Sequence, residues 1–172
     1  MERGPDWGSI WNSLQIFGFT SGNTNFLALL GTLAILSWVV VYLFGLKSTP
    51  QLSEISFIVF ASALILGKVY SPQYVLWLTA LAVIAIKSKQ TLITFWIWQV
   101  AELIYHIAIW QHLATISQAH FGLSQGFYGA ISLIRLAASI GMIYSLAQQL
   151  KKVRSTQGKP WDFLFESAST YP

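Results

Sequence analysis

Between Asn25 and Leu46 the chain runs for 22 residues without a charged side chain, and Lys47 closes the run. As a helix rising 1.5 Å per residue, such a stretch is about 33 Å long, enough to cross a hydrocarbon core of about 30 Å. Few soluble folds can bury such a run. Four more apolar runs follow: Ile55–Gly67 ending at Lys68, Ser71–Ile86 stopped by Lys87 and Lys89, Thr91–Gln111, and Phe127–Leu150 before Lys151, Lys152 and Arg154. Only 9% of the 172 residues are charged and 55% are hydrophobic, whereas soluble domains carry about 25% charged residues. The expected fold is all-α, a polytopic transmembrane bundle of about five helices over residues 25–150. An outer amphipathic segment (1–24) precedes it and a cytoplasmic basic tail (151–172) follows it.

The charges set an expected orientation. With the amino terminus outside and the carboxy terminus inside, seven of the ten Lys and Arg residues fall on the cytoplasmic side, as the positive-inside rule requires. Arg3 and Lys68 fall outside, and Arg135 lies within a span. The expected location is the cell membrane, crossed several times. The net charge of +4 sits in loops and tail, so it speaks for orientation and not for nucleic acid. Cysteine is absent, which excludes disulfides and thiolate metal sites. Glu2, Arg3, Pro5 and Asp6 do not make a signal peptide. Asp6 is positioned to cap a short helix with Trp7, Ile10, Trp11, Leu14 and Phe17 on one face. That pattern fits a helix lying in the outer interface or an ordinary packed surface helix.

The second and third helices are short. Ser71 is a good N-cap and Pro72 a good first helical residue. From Pro72 to Ile86 is 15 residues, about 22 Å of helix. With Lys87 and Lys89 holding the inner end at the surface, the turn Lys68–Tyr74 is expected below the outer surface. Backbone at that depth must be buried in protein or line a wet cavity. Lys68, Gln73 and Tyr74 are therefore candidates for the floor or wall of an outward-facing cavity. The alternative is a tight interfacial hairpin with Lys68 snorkelling into water.

The string Gly67-Lys68-Val69-Tyr70-Ser71-Pro72-Gln73-Tyr74-Val75-Leu76-Trp77-Leu78 resembles a stretch of the membrane glycosyltransferases with the C-type fold. More narrowly, it resembles the polyprenyl-phosphate-mannose-dependent mannosyltransferase-like families. The opening Arg3-Gly4-Pro5-Asp6-Trp7-Gly8-Ser9-Ile10-Trp11 is also similar to a segment there. The resemblance covers most of residues 3–150 and matches the carboxy-terminal half of such enzymes. It implies sugar transfer on the outer face from a polyprenyl-phosphate donor, without a cofactor. It also implies a catalytic carboxylate on an outer loop upstream of the matched region, as in a companion chain. A non-catalytic subunit or remnant that packs with partner helices is the other function carried forward.

Several polar residues fall inside the expected spans. Gln99, Glu102 and His106 share one face of the fourth helix, and Tyr128, Ser132, Arg135 and Ser139 make a stripe on the fifth. Glu102 is nine residues below Gln111 and Arg135 eight below Phe127, so their depths differ by about 1.5 Å. A Glu102–Arg135 ion pair is the strongest structural expectation, since either charge alone in a bilayer is costly. Arg135 with Lys68 is alternatively a phosphate-binding pair, because a guanidinium grips phosphate bidentately; Glu102 as a base is a further possibility. Ala137, Gly141 and Ser145 recur every fourth residue as a packing face. His106, His112 and His120 are spaced by six and eight, which does not suit a metal site. Trp96, Trp98 and Trp110 are expected to face lipid or mark the interfaces.

Overall fold

A computed structural model describes residues 4–19, 22–46 and 49–153. Arg3, Lys47, Arg154, Lys159 and the tail beyond residue 153 lie outside the described residues. Among the described residues there are six helices and no strand: α1 (Ile10–Ile16), α2 (Thr24–Phe44), α3 (Leu52–Leu66), α4 (Gln73–Ala85), α5 (Lys89–Ile116) and α6 (Gln125–Val153). Three of them, α2, α5 and α6, are long and apolar enough to cross a membrane. The protein is a helical bundle with the character of a membrane protein. Its exposed surface agrees: Phe26, Leu33, Trp38, Trp96, Leu103 and Trp110 are all more than half exposed, a surface suited to hydrocarbon and not to water.

α3 and α4 are the short pair. Their 15 and 13 residues make about 22 and 20 Å of helix, each shorter than a full span. Pro72 stands at the cap of α4 and has helical dihedrals, while the carbonyls of Ser71 and Pro72 accept from the amides of Tyr74 and Val75. α3 starts three residues earlier than the apolar run. Glu54, excluded from that run as a charge, lies within the first turn and forms a capping box with Gln51; acid there complements the helix dipole.

α5 and α6 form the broadest helix pair, and α3 packs against α2, α4 and α6. Of the small-residue face, Gly141 looks across at Thr94 and the Ser145 hydroxyl donates to Thr91 Oγ1 at 3.3 Å. Ala137 is exposed. At the end of the bundle bearing Lys87 and Lys89, which we call the basic end, the Tyr42 hydroxyl of α2 donates to the Ala147 carbonyl of α6 at 2.7 Å.

The amino-terminal segment does more than lie on a surface. Its helix is capped by Ser9, whose hydroxyl accepts from Asn12 N, and not by Asp6. The buried face of α1 carries Ser9 and Ser13, while Trp7 and Phe17 are exposed. Ser13 donates to Ser132 on α6 at 2.9 Å and Trp11 Nε1 to the Leu66 carbonyl at the end of α3 at 2.8 Å. Ile16 and Phe17 crowd Gly129. α1 thus runs antiparallel to α6, with its first residues deepest.

Candidate functional site

Helices α5 and α6 and two linkers converge on a buried polar cluster. Its centre is Glu102, one turn beyond Trp98 on the buried face of α5. Trp98 Nε1 donates to Glu102 Oε1 at 3.1 Å, and the Tyr70 hydroxyl donates to both carboxylate oxygens at 3.1 and 3.0 Å. Arg135 of α6 places Nη1 3.7 Å from Glu102 Oε1. The expected contact between these two charges is present, although at that distance it is an ion pair and not a hydrogen bond.

The guanidinium is held mostly by other groups. Its carbon lies 3.8 Å from the centre of the Tyr70 ring and 4.6 Å from that of Tyr105, a cation between two aromatic faces. Nη2 donates to the Gly8 carbonyl at 2.5 Å. Nε is buried with no partner among the described residues. Beside it lies a cavity of about 20 Å³ lined by Tyr70, Glu102, Arg135 and Ser139 among apolar side chains. That volume holds one water molecule and not a sugar phosphate. The carbonyl of Trp7 accepts from Tyr128 at 2.6 Å, and Tyr128 stacks on His112 with ring centres 4.5 Å apart.

The other expected site residues sit on the far side of the same turn. Lys68 Nζ donates to Asn25 Oδ1 at the start of α2, and the Lys68 carbonyl accepts from Asp6 N at 3.1 Å. Gln73 is exposed, and Tyr74 is half-buried between Tyr70 and Trp77. Lys68, Gln73 and Tyr74 therefore share one turn, while Arg135 belongs to the sealed cluster behind it, with Tyr70 between. Below Tyr74 an apolar groove of about 390 Å³ runs between α3 and α4, lined by Phe60, Ala63, Leu64, Tyr74, Trp77, Leu78 and Leu81. Leu64 and Leu78 also line the cavity beside Arg135, so two leucine side chains stand between groove and cavity.

A second polar cluster closes the basic end. Glu54, 1% exposed, accepts from Gln51 N at 2.8 Å, pairs with Lys87 Nζ at 2.8 Å and accepts from Gln149 Nε2 at 3.3 Å. Gln149 also donates to the Ala85 carbonyl at 2.9 Å and accepts from Lys87 N at 2.9 Å. It thereby satisfies backbone groups left open where α4 ends and α5 begins.

Some features differ from the sequence-based expectations. Trp98 does not face lipid: it is 1% exposed and bonded to Glu102, because a residue four before Glu102 shares its buried face. Trp96 and Trp110 do face outward. Gln99 turns toward α4, donating to Thr79 at 2.9 Å, and His112 is buried against Tyr128 and Trp7 instead of lying in a loop. Tyr70 is the cluster residue that hydropathy passes over. Its signal was proximity to the Ser71-Pro72 helix start, which fixes where a linker side chain is aimed. Compared with protein-family models, curated proteins and solved structures, the chain matches none.

Proposed function

We propose that this chain is the donor-lipid-binding part of a multi-pass cell-membrane glycosyltransferase, taking a polyprenyl-phosphate sugar on the extracytoplasmic face. A companion chain carrying the remaining helices supplies the catalytic carboxylate. In this reading the basic end lies in the cytoplasm. The hydrocarbon chain of the donor lies in the α3/α4 groove, and Lys68, Gln73 and Tyr74 meet the phosphate at its mouth. The observation that carries the reading is the groove itself. Its volume falls within the 300–1,000 Å³ of ligand pockets, its lining is apolar, and Tyr74 in that lining belongs to the same turn as Lys68 and Gln73. A prenyl phosphate has the complementary pattern, apolar along its length and anionic at its tip.

The test is binding of a polyprenyl-phosphate mannose by the purified chain in lipid nanodiscs. Lys68→Ala removes the cation at the mouth, and Ala63→Phe fills the groove. Each is expected to weaken binding at least tenfold while leaving the helical signal intact. Wild-type affinity in both variants overturns the reading.

A second reading, a non-catalytic module that packs with partner helices, is favoured by α2. Only Ala28 and Val39 of that helix are buried, and its neighbours in the bundle cover one side. Absence of lipid-phosphate binding together with capture of a second membrane chain along α2 decides for it.

A further inference from the structure

Arg135 has five N–H donors to satisfy, and the described residues leave them poorly used. One hydrogen bond goes to the Gly8 carbonyl, the carboxylate of Glu102 stays at 3.7 Å, and Nε has no partner. A guanidinium this deep is suited to an anionic oxygen. What it holds is a neutral carbonyl, carried on a segment distant in sequence.

That segment is attached chiefly by hydrogen bonds. The face it buries is Gly8, Ser9 and Ser13, while Trp7 and Phe17 stay exposed. Hydrogen bonds to Ser132, Leu66, Lys68 and Tyr128 hold it in place, and none of its apolar side chains is fully buried, Ile16 being the one packed partly against the core. Elements with that balance open at low cost. Gly18 follows the helix with φ of +87°, a left-handed conformation that glycine adopts freely and that places a hinge at the end of α1. Gly8 approaches so closely that a Cβ there would collide with the rings of Tyr70 and Tyr105. The fit is tight at Gly8 and again where Ile16 and Phe17 meet Gly129.

We propose that residues 4–17 form a reversible stopper, in which the Gly8 carbonyl occupies the place of a phosphate oxygen at Arg135. A prenyl phosphate whose chain lies in the α3/α4 groove and whose head stands at the mouth displaces it. The Asp6 amide also bonds the Lys68 carbonyl, so departure of the stopper frees the turn that carries Lys68, Gln73 and Tyr74. Binding at the groove mouth and exposure of Arg135 become one event. The stopper rests on the lipid-phosphate reading of the groove, and its test separates the two.

The chain has no cysteine, and Ser13 and Ser132 face each other, so the double variant Ser13→Cys/Ser132→Cys offers a single lock. Affinity for farnesyl phosphate is measured in nanodiscs before and after oxidation, the reduced protein serving as the control for folding. The expected result is binding when reduced and at least tenfold weaker binding when oxidised. Equal binding in both forms overturns the stopper and leaves the groove reading standing. Binding in neither form overturns both. In the unmodified protein, farnesyl phosphate is expected to speed amide exchange across residues 9–17; unchanged or slowed exchange overturns the stopper independently.

Discussion

The two buried carboxylates of this bundle are built differently. At the basic end, Glu54 has an amide, an ammonium and a carboxamide within 3.3 Å, and its cation Lys87 is 37% exposed. At the other, Glu102 takes neutral donors at hydrogen-bonding distance, while its cation Arg135 stands off at 3.7 Å and is 1% exposed. The first is a finished clamp, closed on all sides and vented to water through its lysine. The second is balanced in charge but not in hydrogen bonds, with a stranded Nε and a cavity beside it.

The largest expected effect comes from stranding the deep cation. Glu102→Ala leaves Arg135 with no counter-charge in a buried site and is expected to cost about 3–5 kcal/mol in denaturant unfolding from mixed micelles. Tyr70→Phe comes next. It keeps the ring against the guanidinium but removes the hydroxyl that bridges both carboxylate oxygens, an expected loss of about 1.5–3 kcal/mol. Lys87→Ala is expected to cost less, about 1 kcal/mol, because its ammonium is partly open to solvent and the buried Glu54 keeps two other donors. If Lys87→Ala costs as much as Glu102→Ala, the contrast between clamp and site collapses.

The long apolar runs made the bundle legible because bilayer thickness and helical rise leave little freedom. The Glu102–Arg135 contact could be read by matching depth on two helices joined by one loop. What stayed hidden lay in linkers and at sequence separations beyond 50 residues. Tyr70 and Gly8 sit outside the helices, where periodicity says nothing about direction. Glu54 stands just ahead of the Ile55–Gly67 run, so hydropathy leaves it out, yet it lies in the first turn of α3 with a lysine opposite. Trp7, Ile10, Trp11, Leu14 and Phe17 drew attention to an apolar stripe around α1, whereas the docking bonds are polar, from Ser13 to Ser132 and from Trp11 Nε1 to the Leu66 carbonyl. Small polar residues leave a faint hydropathy trace even when they decide how a segment seats.

Gln149 has a consequence for the order in which the molecule is made. Its amide stitches together the corner between α4 and α5 and steadies Glu54 from 95 residues away. Arg135 and Ser132, on the same last helix, provide the seat for the first described residues. α6 follows the other described helices in the chain, so the contacts that Gln149, Arg135 and Ser132 make with them can form only after those helices have been synthesised, and the two ends of the bundle are fastened together by one late element.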